Sequence, residues 1–155
     1  MFKYFPSNYV WNLSVDLAIE MGARIGEIEA LCAPLLDVAT EPDAEGTQAF
    51  RDTWEKMADQ LCELAQEDEA RGRFFSAGEK YSRAASYLIT CERLQAHDAP
   101  NRLDLYKRML DLFDKGTRLA DENCQRVEIP YAGKHISGLL VQAENTSGPA
   151  PLLVQ

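Results

Sequence analysis

Asp16 and Glu20 lie four residues apart in a stretch of helical periodicity, so their carboxylates share one helix face. Such a pair can work as acid and base, although a solvated seam or an interhelical salt bridge is the commoner use of that spacing. Cys32, Cys62, Cys91 and Cys124 are spread about thirty residues apart, with no close pair of the kind zinc sites and redox motifs use. They suit small buried hydrophobes in a reducing compartment. His97 and His135 stand alone, without a Cys or carboxylate at ligand spacing. No serine has the flanking glycines of a G-x-S-x-G elbow, which allow the strained turn of a hydrolase nucleophile. The residues alone therefore point to no catalytic group, no metal and no cofactor within the chain.

The elements that would position any site are clearer. Phe50, Trp54, Met57, Ala58, Leu61, Leu64 and Ala65 recur at spacings of three and four, as do Ala77, Tyr81, Ala84, Ala85, Leu88 and Cys91. Two amphipathic helices are expected between Thr47 and Leu94, joined at Arg71-Gly72-Arg73, with Gly72 supplying the positive φ of a helix end. The short connection demands antiparallel packing. The small-aromatic-small spacing of Ala77, Tyr81 and Ala84 is similar to one tetratricopeptide unit, but such repeats need about three units to bury a continuous core.

Before this pair, Ser7 is a plausible N-cap for a helix from Asn8 to Met21, ended by Gly22. Apolar residues wrap most of its circumference, leaving a narrow stripe of Asn8, Asn12, Asp16 and Glu20. A helix of that kind is normally covered on two sides, and one cover should come from outside the Thr47–Leu94 pair. A short helix follows from Gly26 to Leu36, which Pro34 should kink or end. Residues 37–46 read as an exposed acidic loop. A fifth helix is expected from Pro100-Asn101 to about Asn123, with Leu105, Tyr106, Met109, Leu112, Phe113, Gly116 and Leu119 inward.

The 155 residues carry 16 Lys plus Arg against 25 Asp plus Glu, a net charge of −9 with no basic run. That balance disfavours nucleic acid and anionic membranes as partners. A chain of this length buries roughly 70% of its unfolded surface, enough for a core without staples. No apolar run approaches a membrane span, and the first residues lack a signal-peptide pattern, so a cytoplasmic location is expected.

After Cys124 the period changes. Val127, Ile129 and Tyr131 alternate with polar residues, Ala132-Gly133-Lys134 can turn, and a second extended run reaches Gln142, which makes a β-hairpin from Arg126. Leu152-Leu153-Val154 is uniformly apolar and suits a strand buried on both faces. The expected fold is therefore mainly α: a five-helix bundle over residues 1–123, then a β-hairpin and one further strand over 124–155 that begin a sheet. With no helix left to cover that strand, the chain reads as the front part of something longer.

Several stretches carry a resemblance: FPSNYVWNLSVDLAIEMGARIGEIE, SAGEKYSRAASYLITCE, VEIPYAGKHISGLLVQ and the closing PLLVQ. In this order the chain resembles the N-terminal portion of α/β-hydrolases of the 2,6-dihydroxypseudooxynicotine hydrolase and fermentation-respiration-switch esterase type. The resemblance implies that the helices form a lid and a dimer contact, that residues 124–155 open the α/β-hydrolase sheet, and that an oxyanion loop begins just past Gln155. The Ser-His-Asp triad would lie downstream, so this segment alone should be inactive. It further implies a small-molecule carbonyl substrate, either an ester or a ketone-adjacent carbon-carbon bond. Trp11, Tyr81 and Tyr87 are candidates to line its pocket, although each also suits a plain core role. The competing expectation is a non-catalytic helical module that binds a protein partner, and a pigment- or metal-binding bundle is disfavoured because paired Glu and Glu-x-x-His motifs are missing.

Overall fold

A computed structural model describes residues 3–40, 44–145 and 147–154. Its elements are α1 (Tyr9–Glu20), α2 (Ile25–Cys32), two short 3₁₀ turns (Ala33–Leu35 and Val38–Thr40), α3 (Ala44–Ala70), α4 (Phe74–Arg93), α5 (Arg102–Leu119), β1 (Cys124–Tyr131) and β2 (Lys134–Val141). The fold is mainly helical, with five α-helices and a two-stranded antiparallel sheet.

Helix α1 is capped by Asn8 rather than Ser7. Asn8 Oδ1 accepts from Trp11 N at 3.1 Å while its Nδ2 donates to Ala39 O at 3.1 Å. The amide serves both sides at once, its oxygen accepting and its nitrogen donating. The polar stripe of α1 is likewise more than a solvated seam: Asn12 is buried and accepts the Phe5 N–H at 3.1 Å, tying the leader down. Gly22 (φ +93°) then ends the helix, with Ala23 N donating to Ala18 O at 2.9 Å and Gly22 N to Ile19 O at 3.0 Å. The same pair of bonds ends α3 at Gly72 (φ +72°), where Arg73 N reaches Asp68 O at 2.8 Å.

Helices α3, α4 and α5 form an antiparallel array with α4 in the middle, so α4 buries two sides. Ala77, Ala84, Leu88 and Cys91 are fully buried, and Gly78 lets α5 approach. Helices α1 and α2 pack at the far end of α4, where Ser86 Oγ donates to Met21 O at 3.1 Å. The core there is a run of rings: Phe5 to Trp11 at 5.4 Å, Trp11 to Phe50 at 4.7 Å, Phe50 to Trp54 at 5.6 Å and Trp54 to Tyr87 at 5.4 Å. Each buried aromatic contributes on the order of 2–3 kcal/mol from surface removed from water.

Further expectations change. Tyr106, expected inward on α5, is exposed, because it lies on the side of the helix that borders the hairpin and not on the side that meets α4. Leu64 is exposed, because the α3 stripe shifts to meet α4 and leaves it on the outer edge. The loop expected over 37–46 is shorter: a 3₁₀ turn ends at Thr40 and α3 begins at Ala44, with residues 41–43 outside those described. The third strand does not form. Leu152, Leu153 and Val154 are 75%, 79% and 81% exposed and belong to no strand; a strand needs a neighbour to take its backbone hydrogen bonds, and none is beside them.

The hairpin does form, from two residues earlier than the alternation indicated, with Cys124 opposite Val141 and Tyr131 opposite Lys134. Ala132 (φ +47°) and Gly133 (φ +74°) make the turn, the conformation whose twist matches paired strands. Asn123 anchors its base: Gln142 N donates to Asn123 O at 3.0 Å and Asn123 Nδ2 to Gln142 O at 2.6 Å. Val127, Ile129, Tyr131, Ile136 and Leu140 alternate onto one face, and Arg126, Glu128, Ser137 and Leu139 onto the other.

Candidate functional site

Helix α5 carries two neighbouring apolar stripes. Leu105, Met109 and Gly116 turn to the bundle core, whereas Tyr106, Leu110 and Phe113 turn to the hairpin without being covered by it. Between them and the strands lies a cleft of about 680 Å³. Leu139 forms part of the far wall, and Arg118, Arg126 and Ser137 give the cleft its polar side.

The polar side is organised by Glu128. Arg126 Nε donates to Glu128 Oε1 at 2.8 Å and its Nη2 to Ser137 Oγ at 3.0 Å, while the Ser137 hydroxyl lies 2.8 and 2.9 Å from the two Glu128 oxygens. The Arg126 hydrogen bond holds the Glu128 carboxyl below the usual carboxylate range, helped by Ser137. Arg118 is fixed in turn by Asp114, through Nη2 to the carboxylate at 2.8 Å and Nε to the backbone carbonyl at 3.2 Å. His135 shares the strand face with Ser137 and Glu128, but no hydrogen bond joins it to Ser137 among the described residues. Glu128 accepts from the Ser137 hydroxyl, but the same carboxylate is tied to Arg126 and its lowered pKa makes it a weak base, so the three groups form a fixed polar cluster beside the cleft.

Beyond Tyr106 a smaller depression of about 360 Å³ is bordered by Glu92, His97, Arg102 and Leu103. Arg102 Nε meets Glu92 Oε1 at 2.6 Å and its Nη1 lies 3.1 Å from His97 Nδ1. A guanidinium only donates, so His97 accepts there through Nδ1.

Two further clusters stand at the α3–α4 tip. Lys115 Nζ lies 2.6 Å from Glu69 Oε2 and 3.0 Å from Tyr81 OH, and the Tyr81 hydroxyl donates to the same carboxylate at 2.6 Å. Lys115 and Tyr81 hold Glu69 below the usual carboxylate range, while burial, with the Glu69 bond second, pushes Tyr81 up. Next to it, Asp68 accepts from Lys80 at 2.5 Å and Ser76 at 2.7 Å. Both lysines pair with carboxylates across helices, Lys115 of α5 with Glu69 of α3 and Lys80 of α4 with Asp68 of α3, which suits clamping of the bundle.

Trp11, Tyr81 and Tyr87 all sit in the core, at 2%, 2% and 0% exposure, and none borders either depression. Trp11 and Tyr87 lie along the run of rings; the Tyr87 hydroxyl is taken by Glu27 and that of Tyr81 by Glu69. Asp16 pairs with Asn12 Nδ2 at 3.4 Å, whereas Glu20 is exposed. Among the described residues, no group of three or more His, Cys, Asp or Glu is placed to hold a metal ion, and no helix is long and apolar enough to cross a membrane.

Arg118, Arg126 and Ser137 were not singled out by the sequence, since nothing local sets them apart. The width of the α5 apolar face, which includes both Leu105 and Tyr106, is the signal that the helix has two neighbours.

No protein-family model matches the chain, and no curated protein is similar enough to count as a relative.

Proposed function

We propose that these residues are the helical lid and opening strands of a cytoplasmic α/β-hydrolase of the 2,6-dihydroxypseudooxynicotine hydrolase and fermentation-respiration-switch esterase type. The enzyme would cleave an ester or a ketone-adjacent carbon-carbon bond, with its triad on polypeptide beyond this segment and the helices also making a homo-oligomer contact. The observation that carries the reading is the hairpin face of Ile129, Tyr131 and Ile136, which is exposed together with Leu152–Val154. A two-stranded hairpin with an open apolar face is marginal by itself, and the remainder of a hydrolase sheet is a cover of the right chemistry. The stripe of Val10, Leu13 and Leu17 on α1, exposed to different degrees, gives a second surface of the same kind. A lid so placed excludes water from the reacting carbonyl and strengthens the electrostatics around it.

The test is hydrolysis of p-nitrophenyl esters by the full gene product and by this segment. Turnover by the full product and none by the segment is expected. Activity in the segment, or a reading frame that stops at Gln155, would overturn the reading.

A second reading, a helical protein-interaction module, is favoured by the close α3–α4 packing around Ala77, Tyr81 and Ala84, which are all buried. It gains if the full gene product shows no esterase activity.

A further inference from the structure

We propose that the cleft between α5 and the hairpin binds a small amphipathic anion: a planar apolar body bearing one carboxylate or comparable oxyanion. The site is made wholly of α5 and hairpin residues, so the proposal goes beyond the hydrolase reading and does not depend on it.

Size is the first argument. A cleft of about 680 Å³ falls within the range of small-molecule sites and is too small for a partner helix. Chemistry is the second. Tyr106, Leu110, Phe113 and Leu139 provide flat and aliphatic walls, and two guanidiniums, Arg118 and Arg126, border the same space. Each is paired with one carboxylate, Asp114 and Glu128, so the local balance is neutral in a chain of net charge −9. An anion meets less repulsion here than over most of this protein's surface and finds guanidinium N–H groups to bind.

Preorganisation is the third. Glu128 and Ser137 engage Nε and Nη2 of Arg126, and Asp114 engages Nε and Nη2 of Arg118. Both side chains are therefore held in place, while each Nη1 has no hydrogen-bond partner among the described residues. A guanidinium already fixed by its neighbours loses less freedom when it meets an oxyanion.

Titration of the protein with 2-naphthoate by calorimetry tests this, alongside 2-naphthalenemethanol, which keeps the rings and lacks the charge. Saturable one-to-one binding of the acid is expected, about tenfold or more tighter than the alcohol, because a charge-assisted hydrogen bond is lost with the charge. Arg126→Gln should weaken the acid by a similar factor and leave the alcohol unchanged. Leu110→Trp should fill the cleft and abolish both; if that variant does not fold, Leu139→Trp on the exposed strand does the same from the other wall. Absence of saturable binding overturns the proposal. So does binding that survives both Arg126→Gln and the filled cleft, which would put the probe on the exposed apolar faces elsewhere. Equal affinity for acid and alcohol overturns the anionic assignment.

Discussion

Gly78 and Gly116 meet where α4 crosses α5, so closely that a Cβ on Gly78 would lie 2.7 Å from the Gly116 carbonyl oxygen and 2.5 Å from Ala120 N. A Cβ on Gly116 would run into the Ser82 side chain and lie 2.8 Å from its backbone nitrogen. Backbone cannot give way as a flexible side chain can. Gly116→Ala is expected to destabilise the fold by about 2–3 kcal/mol, the upper range for an overpacked core, despite alanine being the better helix former. Urea unfolding followed by far-ultraviolet circular dichroism checks this, and a neutral or stabilising result would mean the helices lie further apart.

The Glu69–Tyr81–Lys115 cluster makes stability depend on acid. Glu69 and the neighbouring Asp68 both have carboxyl pKa values lowered in the folded state by hydrogen bonds, chiefly from Lys115 and Lys80. The unfolded chain therefore takes up protons first, and the contribution of these groups is complete above the ordinary carboxylate range. It is lost as pH falls through that range to the lowered folded values. The melting temperature should be flat from neutral pH to roughly pH 5 and then fall. Glu69→Gln should melt lower at neutral pH but fall less steeply in acid; an acid slope identical to that of the native protein would show that Glu69 takes no part.

Helix α5 ends like α1 and α3, with Glu122 N donating to Thr117 O at 3.0 Å, but the residue in the left-handed position is Asp121 (φ +54°) instead of glycine. A side chain pays steric strain there that glycine avoids. Asp121→Gly should stabilise the fold by about 1 kcal/mol, read as a higher urea midpoint with an unchanged slope.

The four cysteines should separate by reactivity. Cys32, Cys62 and Cys91 are buried and Cys124 is half-buried at the start of β1. Burial pushes the Cys32 thiol up to about 12, and Cys91, also raised chiefly by burial, donates to Arg51 O at 3.2 Å. Native protein should react with a disulfide reagent at one thiol quickly, and at the others only on unfolding. Loss of the fast phase in Cys124→Ser identifies it.

The helices were legible in the sequence because apolar spacing alone determines which face of Phe50–Ala65 or Ala77–Cys91 turns inward. The turn glycines, Gly22 and Gly72, were legible for the same local reason. What could not be read was relational. Leu152–Val154 has the composition of a strand but no neighbour to pair with, Leu64 fits its stripe yet falls outside the α4 contact, and Asn8 caps better than Ser7 only because Ala39 is nearby. The cleft was hidden because its two walls belong to different elements, with Phe113 lying 13 residues before Arg126 and 26 before Leu139, and meet only when the hairpin folds back along α5.

The run of rings from Phe5 to Tyr87 includes both of the protein's tryptophans, Trp11 and Trp54. Indole emission will therefore report one junction, where α1, α3 and α4 meet, and be blind to the strands. A hairpin that frays or swings away from α5 would leave the fluorescence spectrum untouched, so an unchanged optical signal says nothing about whether that half of the molecule is folded.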